Sequence, residues 1–157
     1  MKSVLYLHGL ESKQGGAKID FLAAKGRVHA PAMDYKTKTW SVEELFELAI
    51  KCNPDLIIGS SMGGYFAHVL GSHTRIEVLL FNPALHSRSV DYNFKYGKED
   101  YQRTIILGMQ DTVVIPERTK EIASDNAKIV EVADIGHRTP LDTFKAIYTK
   151  LFADEST

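Results

Sequence analysis

The sequence of 157 residues contains a single cysteine, Cys52, so it cannot form an intramolecular disulfide. One thiol among scattered histidines does not provide the ligand spacing of a zinc site. Because disulfides are rare in reducing compartments, the near absence of cysteine favours a cytoplasmic protein. Positive and negative side chains also balance, with 19 Lys and Arg against 20 Asp and Glu. The totals therefore give no electrostatic basis for binding nucleic acid or an anionic membrane, and a small molecule is the expected partner.

Long hydrophobic runs are absent as well. The apolar run before His8 is Val4–Leu7, which is too short for a signal peptide or a membrane span, so we expect neither export nor membrane association. Glycine and proline are few, at 11 and 5 residues, and 44% of the residues are hydrophobic, which excludes collagen-like and wholly disordered chains. A chain of this size can bury one core. We expect residues 1–157 to form a single domain, of unassigned oligomeric state.

Short apolar segments of strand length alternate along the chain with segments of helical spacing. The apolar segments are rich in β-branched residues and bounded by glycine, proline or charged residues, as buried strands are. We expect strands at Val4–Leu7, Leu56–Ile58, Ile76–Phe81, Thr104–Leu107 and Lys128–Val132, with a weaker one at Arg27–Ala30. Helices are expected after the N-cap Ser41 and at Met62–His73, Pro116–Ala123 and Pro140–Phe152.

This alternation predicts an α/β fold with about six mainly parallel strands and helices on both faces of the sheet. In sheets of this kind the ligand site lies beyond the carboxyl ends of the strands. Candidate catalytic residues are therefore expected in loops that follow strands.

The segment Gly59-Ser60-Ser61-Met62-Gly63 matches the pattern G-x-S-x-G between a predicted strand and a predicted helix. The pattern places a serine on a sharp turn above the sheet, where its neighbours cannot carry large side chains. Gly59 and Gly63 provide that clearance. Ser61 is therefore the candidate nucleophile, and Ser60, at a variable position of the pattern, is expected to support it or line the pocket.

A serine hydroxyl needs an imidazole to accept its proton, and the imidazole needs a carboxylate to fix its tautomer. Asp111 follows the predicted strand Thr104–Leu107, and His137 follows the predicted strand Lys128–Val132. Both therefore belong to loops at the carboxyl ends of strands. The sequence predicts a catalytic triad of Ser61, Asp111 and His137.

Two other carboxylates are alternatives to Asp111. Asp134 and Asp142 lie nearer to His137 along the chain, although a turn and the first turn of a helix are also ordinary places for an aspartate. Gly136 is expected to let the backbone bend the imidazole back over the sheet.

The negative charge that develops on a carbonyl oxygen during acyl transfer needs preorganised N–H donors. Met62, immediately after the nucleophile, offers one backbone N–H. The loop after the first strand begins His8-Gly9-Leu10, and the N–H of Leu10 is the candidate for the second. The alternative for this loop is a plain turn that ends the strand.

Several of these segments together resemble the α/β-hydrolases, and especially the YqiA-like small esterases. The segments that carry the resemblance are Leu5–Leu10, Ile58–Tyr65, Asn82-Pro83-Ala84, Gly108–Asp111 and Gly136-His137. The resemblance implies a serine esterase or thioesterase fold that acts on acyl esters without a metal or a cofactor. The chain has no room for a lid domain, so the resemblance does not extend to lipase-like handling of long lipids.

Two loops are candidates for contacting the substrate. The flap Pro83–Gln102 occupies the place of the cap in larger relatives, and we expect its aromatic residues Tyr92, Phe94 and Tyr96 to bind the acyl group. An ordinary surface loop with buried aromatics is the alternative. The loop Glu11–Ala17 is expected to form a flexible rim.

These observations predict a serine esterase that hydrolyses small or medium acyl esters through an acyl-enzyme intermediate. The same triad serves thioesterases and acyltransferases, which are the alternatives among enzymes. A non-catalytic ligand-binding protein of the same fold is the alternative from another class.

Overall fold

The computed structural model describes residues 2–10, 12, 15–90, 92–123 and 125–152. Within these residues the chain forms six strands and five helices that largely alternate. The strands are β1 Ser3–Leu7, β2 Arg27–His29, β3 Leu56–Ser60, β4 Glu77–Phe81, β5 Arg103–Gly108 and β6 Lys128–Val132. The helices are α1 Ala17–Ala23, α2 Val42–Cys52, α3 Met62–Thr74, α4 Pro116–Ile122 and α5 Leu141–Phe152.

The strands form one sheet in the order β2-β1-β3-β4-β5-β6, and every neighbouring pair is parallel. The register places Leu7 opposite Gly59 and Ser60 opposite Phe81. Because all strands run the same way, their carboxyl ends meet at one edge of the sheet. The predicted six-stranded parallel α/β fold is confirmed.

Alternate side chains of the four inner strands, β1, β3, β4 and β5, enter two hydrophobic clusters on opposite faces of the sheet. Leu5 and Leu7 of β1 belong to the cluster that α2 and α3 cover. Val4 and Tyr6 of the same strand belong to the cluster that α1 and α5 cover. This two-sided burial explains why the inner strands are mostly apolar.

Helix α3 is the most buried helix, since every residue from Met62 to Ser72 is buried. Helix α2 instead is amphipathic and begins with the predicted cap, where the Glu44 N–H donates to Ser41 Oγ over 3.1 Å. The described residues contain no helix that is long and apolar enough to cross a membrane.

Helix α1 is not among the helices that the sequence predicts. The preceding loop was expected to be a flexible rim, and its residues Glu11, Lys13 and Gln14 lie outside the described residues. The helix has only seven residues, and its N-cap Gly16 makes no side-chain cap hydrogen bond. Helix α1 therefore lacks the capping residue and the length that reveal a helix in a sequence.

Candidate active site

Ser61 lies on the turn between β3 and α3, with φ 54° and ψ −115°. Such a conformation is rare for residues with a side chain and is maintained by the surrounding structure. The turn is tight because the backbones of three segments meet there. A Cβ atom on Gly63 would lie 2.0 Å from the carbonyl oxygen of Leu7, and one on Gly59 would lie 2.3 Å from that of Gly63. Both glycines therefore have the predicted steric role.

Ser61, His137 and Asp111 form a continuous chain of hydrogen bonds. Nε2 of His137 lies 3.0 Å from Oγ of Ser61, and Nδ1 of His137 lies 2.8 Å from Oδ2 of Asp111. The carboxylate can only accept at Nδ1, so the imidazole carries its proton there and offers Nε2 as a proton acceptor. This arrangement can remove a proton from the serine hydroxyl.

The Asp111 side chain is buried and held by its own loop. Its other carboxylate oxygen, Oδ1, accepts hydrogen bonds from the backbone N–H groups of Val113 at 2.8 Å and Val114 at 2.9 Å. These bonds leave Oδ2 to face the imidazole. The alternative carboxylates Asp134 and Asp142 are exposed, and the structure brings neither into a hydrogen bond with His137 among the described residues.

Asn82 holds the loop of the histidine close to the loop of the aspartate. It follows β4 with φ 44°, its Oδ1 accepts from the Gly108 N–H at 2.7 Å, and its Nδ2 donates to the His137 carbonyl at 2.8 Å. In the sequence, Asn82 stands out only as part of a segment that resembles the α/β-hydrolases. A polar residue directly after a predicted buried strand was the available signal for this role.

The expected role of Gly136 is wrong. Its φ lies outside the left-handed range, and a Cβ atom there would have Gln110 O as its nearest neighbour, at 3.7 Å. The close contact of the two loops depends on Gly108 instead, where a Cβ atom would lie 2.2 Å from the Gly136 carbonyl oxygen. A glycine is therefore required at position 108, at the end of the strand that precedes Asp111, and not at position 136.

The two predicted oxyanion donors are the backbone N–H groups of Met62 and Leu10. Met62 is the first residue of α3, where backbone N–H groups have no acceptor within the helix. Leu10 lies in the loop after β1 and lines the cavity beside Ser61. His8 fixes this loop because its Nε2 accepts from the Met33 N–H at 2.8 Å, which leaves Nδ1–H to donate to the Gly9 carbonyl at 2.7 Å.

A cavity of about 770 Å³ opens beside Ser61 and His137. This volume falls within the range of small-molecule sites, roughly 300–1,000 Å³. Its wall comes from the loop after β1, the start of α1, the serine turn and the segment from His137 to Leu141. The predicted rim thus contributes to the cavity, through Ser12, Gly15 and Ala17.

The flap aromatics lie elsewhere. Tyr92 is buried, stacks on Phe94 at a centroid distance of 5.4 Å, and donates its hydroxyl to the Lys38 carbonyl. Tyr96 packs edge-on against His68 of α3. Among the described residues that line the cavity, the flap contributes Ser89 and none of these aromatics. The prediction that Tyr92, Phe94 and Tyr96 bind the acyl group does not hold for this cavity, because they pack on α3. Asp91 of the flap lies outside the described residues.

The part of the chain that the structure describes contains no group of three or more His, Cys, Asp or Glu side chains arranged to hold a metal ion. The Cys52 thiol is free and lies in α2. Burial raises its pKa, which lowers the fraction of reactive thiolate.

Residues 3–102 match the model of an uncharacterised protein family, UPF0227. The chain is a member of UPF0227. The matched region includes the serine turn and Asn82, whereas Asp111 and His137 lie beyond it. No curated protein matches the sequence of this UPF0227 member significantly.

Three solved structures with the same fold are distant in sequence. A protein from Xanthomonas campestris pv. campestris assigned to the α/β-hydrolase superfamily has a TM-score of 0.74 at 17% identity, over 98% of this chain and 99% of that one. A monoacylglycerol lipase from Paleococcus ferrophilus has a TM-score of 0.69 at 17% identity, covering 96% of this chain and 93% of that one.

A third structure is an α/β serine hydrolase without a lid from Xanthomonas campestris, with a TM-score of 0.59 at 14% identity, over 96% of this chain and 81% of that one. Together with the observed sheet, these likenesses show that the UPF0227 member has the minimal α/β-hydrolase fold. The resemblance to the YqiA-like family is confirmed for family and fold.

Proposed function

We propose that this protein is a serine hydrolase that cleaves small or medium acyl esters through an acyl-enzyme intermediate. The observation that carries the proposal is the pair of hydrogen bonds from His137, 3.0 Å to Ser61 Oγ and 2.8 Å to Asp111 Oδ2. The names of two structural neighbours, a serine hydrolase and a monoacylglycerol lipase, point to the same chemistry.

In the first half of the reaction, Ser61 Oγ attacks the carbonyl carbon of the ester while His137 Nε2 takes the hydroxyl proton. Asp111 orients the imidazole and stabilises its positive charge. The backbone N–H groups of Leu10 and Met62 donate to the carbonyl oxygen as it becomes negative. The bond to the alcohol then breaks, and His137 gives its proton to the departing alcohol.

In the second half, a water molecule attacks the acyl-enzyme carbonyl and loses its proton to Nε2 of His137. The bond between Ser61 Oγ and the acyl carbon breaks, the acid leaves, and the serine recovers its proton from His137. Both halves use the same groups, so no further residue is required for the proton transfers.

Hydrolysis of 4-nitrophenyl esters, from acetate to decanoate, tests the proposed function. We expect the wild-type protein to hydrolyse at least the shorter esters with saturation kinetics, and Ser61→Ala to lower kcat by about 10⁶-fold. Ser60→Ala is the matched control, since it removes the neighbouring hydroxyl, and it should retain most of the activity. Equal rates for wild type and Ser61→Ala would contradict the proposal.

A further inference from the structure

The cavity beside Ser61 has a positively charged wall. Among the described residues that line it, Lys18 and Arg138 carry a full charge at neutral pH, and both are cations. Lys18 belongs to α1, and Arg138 directly follows the candidate catalytic His137. No Asp or Glu of the described chain is part of this lining.

Neither cation has a carboxylate partner within the part of the chain that the structure describes. The Lys18 ammonium lies 5.5 Å from the centre of the Phe144 ring, which is a cation–π contact rather than an ion pair. The acidic residues near the two cations along the chain, Asp20, Asp134 and Asp142, are exposed and do not line the cavity. Among the described residues, therefore, no carboxylate neutralises the positive charge of the cavity wall.

The two cations are close enough to affect each other. Burial lowers the pKa of Lys18, and the positive charge of Arg138 lowers that pKa further. Both effects disfavour the charged amine, and an anion in the cavity would offset both. Two like charges beside a candidate nucleophile are an arrangement typical of a binding site.

Part of the remaining cavity wall is apolar. Several lining side chains are apolar, namely Leu10, Ile19, Val113 and Leu141. A short hydrocarbon segment fits such a surface, whereas a second charge does not.

We propose that Lys18 and Arg138 bind an anionic group, a carboxylate or a phosphate, of the ester that Ser61 cleaves. This inference rests on the proposed function and narrows it to esters whose acyl or alcohol part carries a negative charge a few carbon atoms from the carbonyl.

Two pairs of esters test the inference. In the first pair, 4-nitrophenyl hexanoate and the 4-nitrophenyl half-ester of adipic acid differ by a terminal carboxylate on the acyl part. In the second pair, the butyrates of 4-nitrophenol and of 5-hydroxy-2-nitrobenzoic acid differ by a carboxylate on the alcohol part. The pair that shows the preference identifies the part of the ester that carries the anion.

We expect kcat/KM for the anionic member of one pair to exceed that of its neutral partner by about tenfold or more. Lys18→Met and Arg138→Gln should each reduce this ratio by about tenfold, mainly by raising KM for the anionic ester. Lys25→Met is the matched control, because Lys25 follows α1 but does not line the cavity, and it should leave the ratio unchanged. Ratios near one in both pairs, or a preference that survives both cavity variants, would overturn the inference.

A binding measurement separates this inference from the proposed function. Calorimetric titrations of Ser61→Ala with the mono-4-nitroanilide of adipic acid, for an anion on the acyl part, and with the butyramide of 5-amino-2-nitrobenzoic acid, for an anion on the alcohol part, do not depend on turnover. Binding that is weakened about tenfold by adding Lys18→Met supports the anion site even if no ester is hydrolysed, in which case the proposed function alone fails. Hydrolysis without any preference for anionic esters overturns the anion site alone, and absence of both hydrolysis and binding overturns both.

Discussion

Each catalytic role in the proposed reaction depends on a hydrogen bond or a steric contact of one residue. His137 can accept the serine proton only when its own proton is on Nδ1, and that tautomer is set by the acceptor Asp111 Oδ2 at 2.8 Å. The buried carboxylate contributes by accepting this hydrogen bond and by its charge. Its role can therefore be tested by a change that alters hydrogen bonding with little change in shape.

Asp111→Asn is expected to lower kcat for ester hydrolysis by roughly 10⁴-fold, because the amide can donate to Nδ1 and so favours the wrong tautomer. Asp134→Asn, which changes an exposed aspartate of the same histidine loop, serves as the control and should keep most of the activity. Steady-state kinetics with one 4-nitrophenyl ester measures both. A loss caused by Asp134→Asn and not by Asp111→Asn would assign the carboxylate role to the other residue.

A second residue-scale prediction concerns the contact under the serine turn. Gly63→Ala should lower the free energy of unfolding by about 3 kcal/mol, since its Cβ would lie 2.0 Å from the Leu7 carbonyl oxygen, which belongs to a central strand. Gly136→Ala should change it by less than about 1 kcal/mol, because the nearest atom to its Cβ is 3.7 Å away. Urea denaturation compares the two, and equal effects would show that the backbones do not approach as described.

At the scale of elements, helix α3 begins at the active site and is buried from Met62 to Ser72. Its N-terminal residues carry the candidate oxyanion donor, while further along the helix His68 is buried against Tyr101. Burial lowers the pKa of His68 to about 4, with the nearby charge of Arg103 contributing in the same direction. The helix is therefore most stable with this histidine neutral.

The depressed pKa of His68 predicts how stability varies with pH. In the unfolded chain a histidine titrates near 6.5, so between about pH 6.5 and 4 the unfolded state binds a proton that the folded state does not, and stability falls as the pH falls. The expected loss is about 3 kcal/mol.

Denaturation curves at several pH values for wild type and His68→Phe measure this contribution. The acid-induced loss should be smaller in His68→Phe by that amount, whereas His29→Gln, the control at an exposed histidine, should retain it. Identical pH profiles for wild type and His68→Phe would contradict the assignment.

For the whole molecule, how well a feature could be predicted from the sequence depended on how far apart along the chain the residues that determine it lie. The serine turn was recognised because its determinants lie within five consecutive residues, and the inner strands because burial on both faces makes them mostly apolar. Asp111 and His137 followed from the parallel sheet, since loops after its strands share one edge. The contacts of Asn82 with Gly108 and His137 join three distant segments, so its place after a buried strand marks the residue but does not reveal its partners.

The position of the flap aromatics could not be predicted from the sequence. These residues could pack on the body of the protein or line the site, and the sequence does not distinguish the two because both surfaces are apolar. The structure packs Tyr92 against Phe66 of α3, at a centroid distance of 5.0 Å. The sequence did not indicate the role of Lys18 for a different reason, because Lys18 lies in a short helix that has no capping residue.

The position of the flap leads to a prediction for the molecule as a whole. Tyr92→Ala should lower the free energy of unfolding by about 3 kcal/mol, because it removes a buried ring and its hydrogen bond to Lys38, and it should leave the preference for acyl chain length unchanged. Thermal denaturation and the acetate-to-decanoate series check the two parts. A shifted chain-length preference in a stable Tyr92→Ala protein would show that the flap contributes to the substrate pocket.

The central claim is that the Ser61 hydroxyl is activated by His137, and covalent labelling tests it most directly. Intact-protein mass after treatment with a fluorophosphonate is predicted to show one adduct on wild type and on Ser60→Ala, and none on Ser61→Ala or His137→Ala. An unlabelled wild-type protein, or an adduct that persists in Ser61→Ala, would contradict the account.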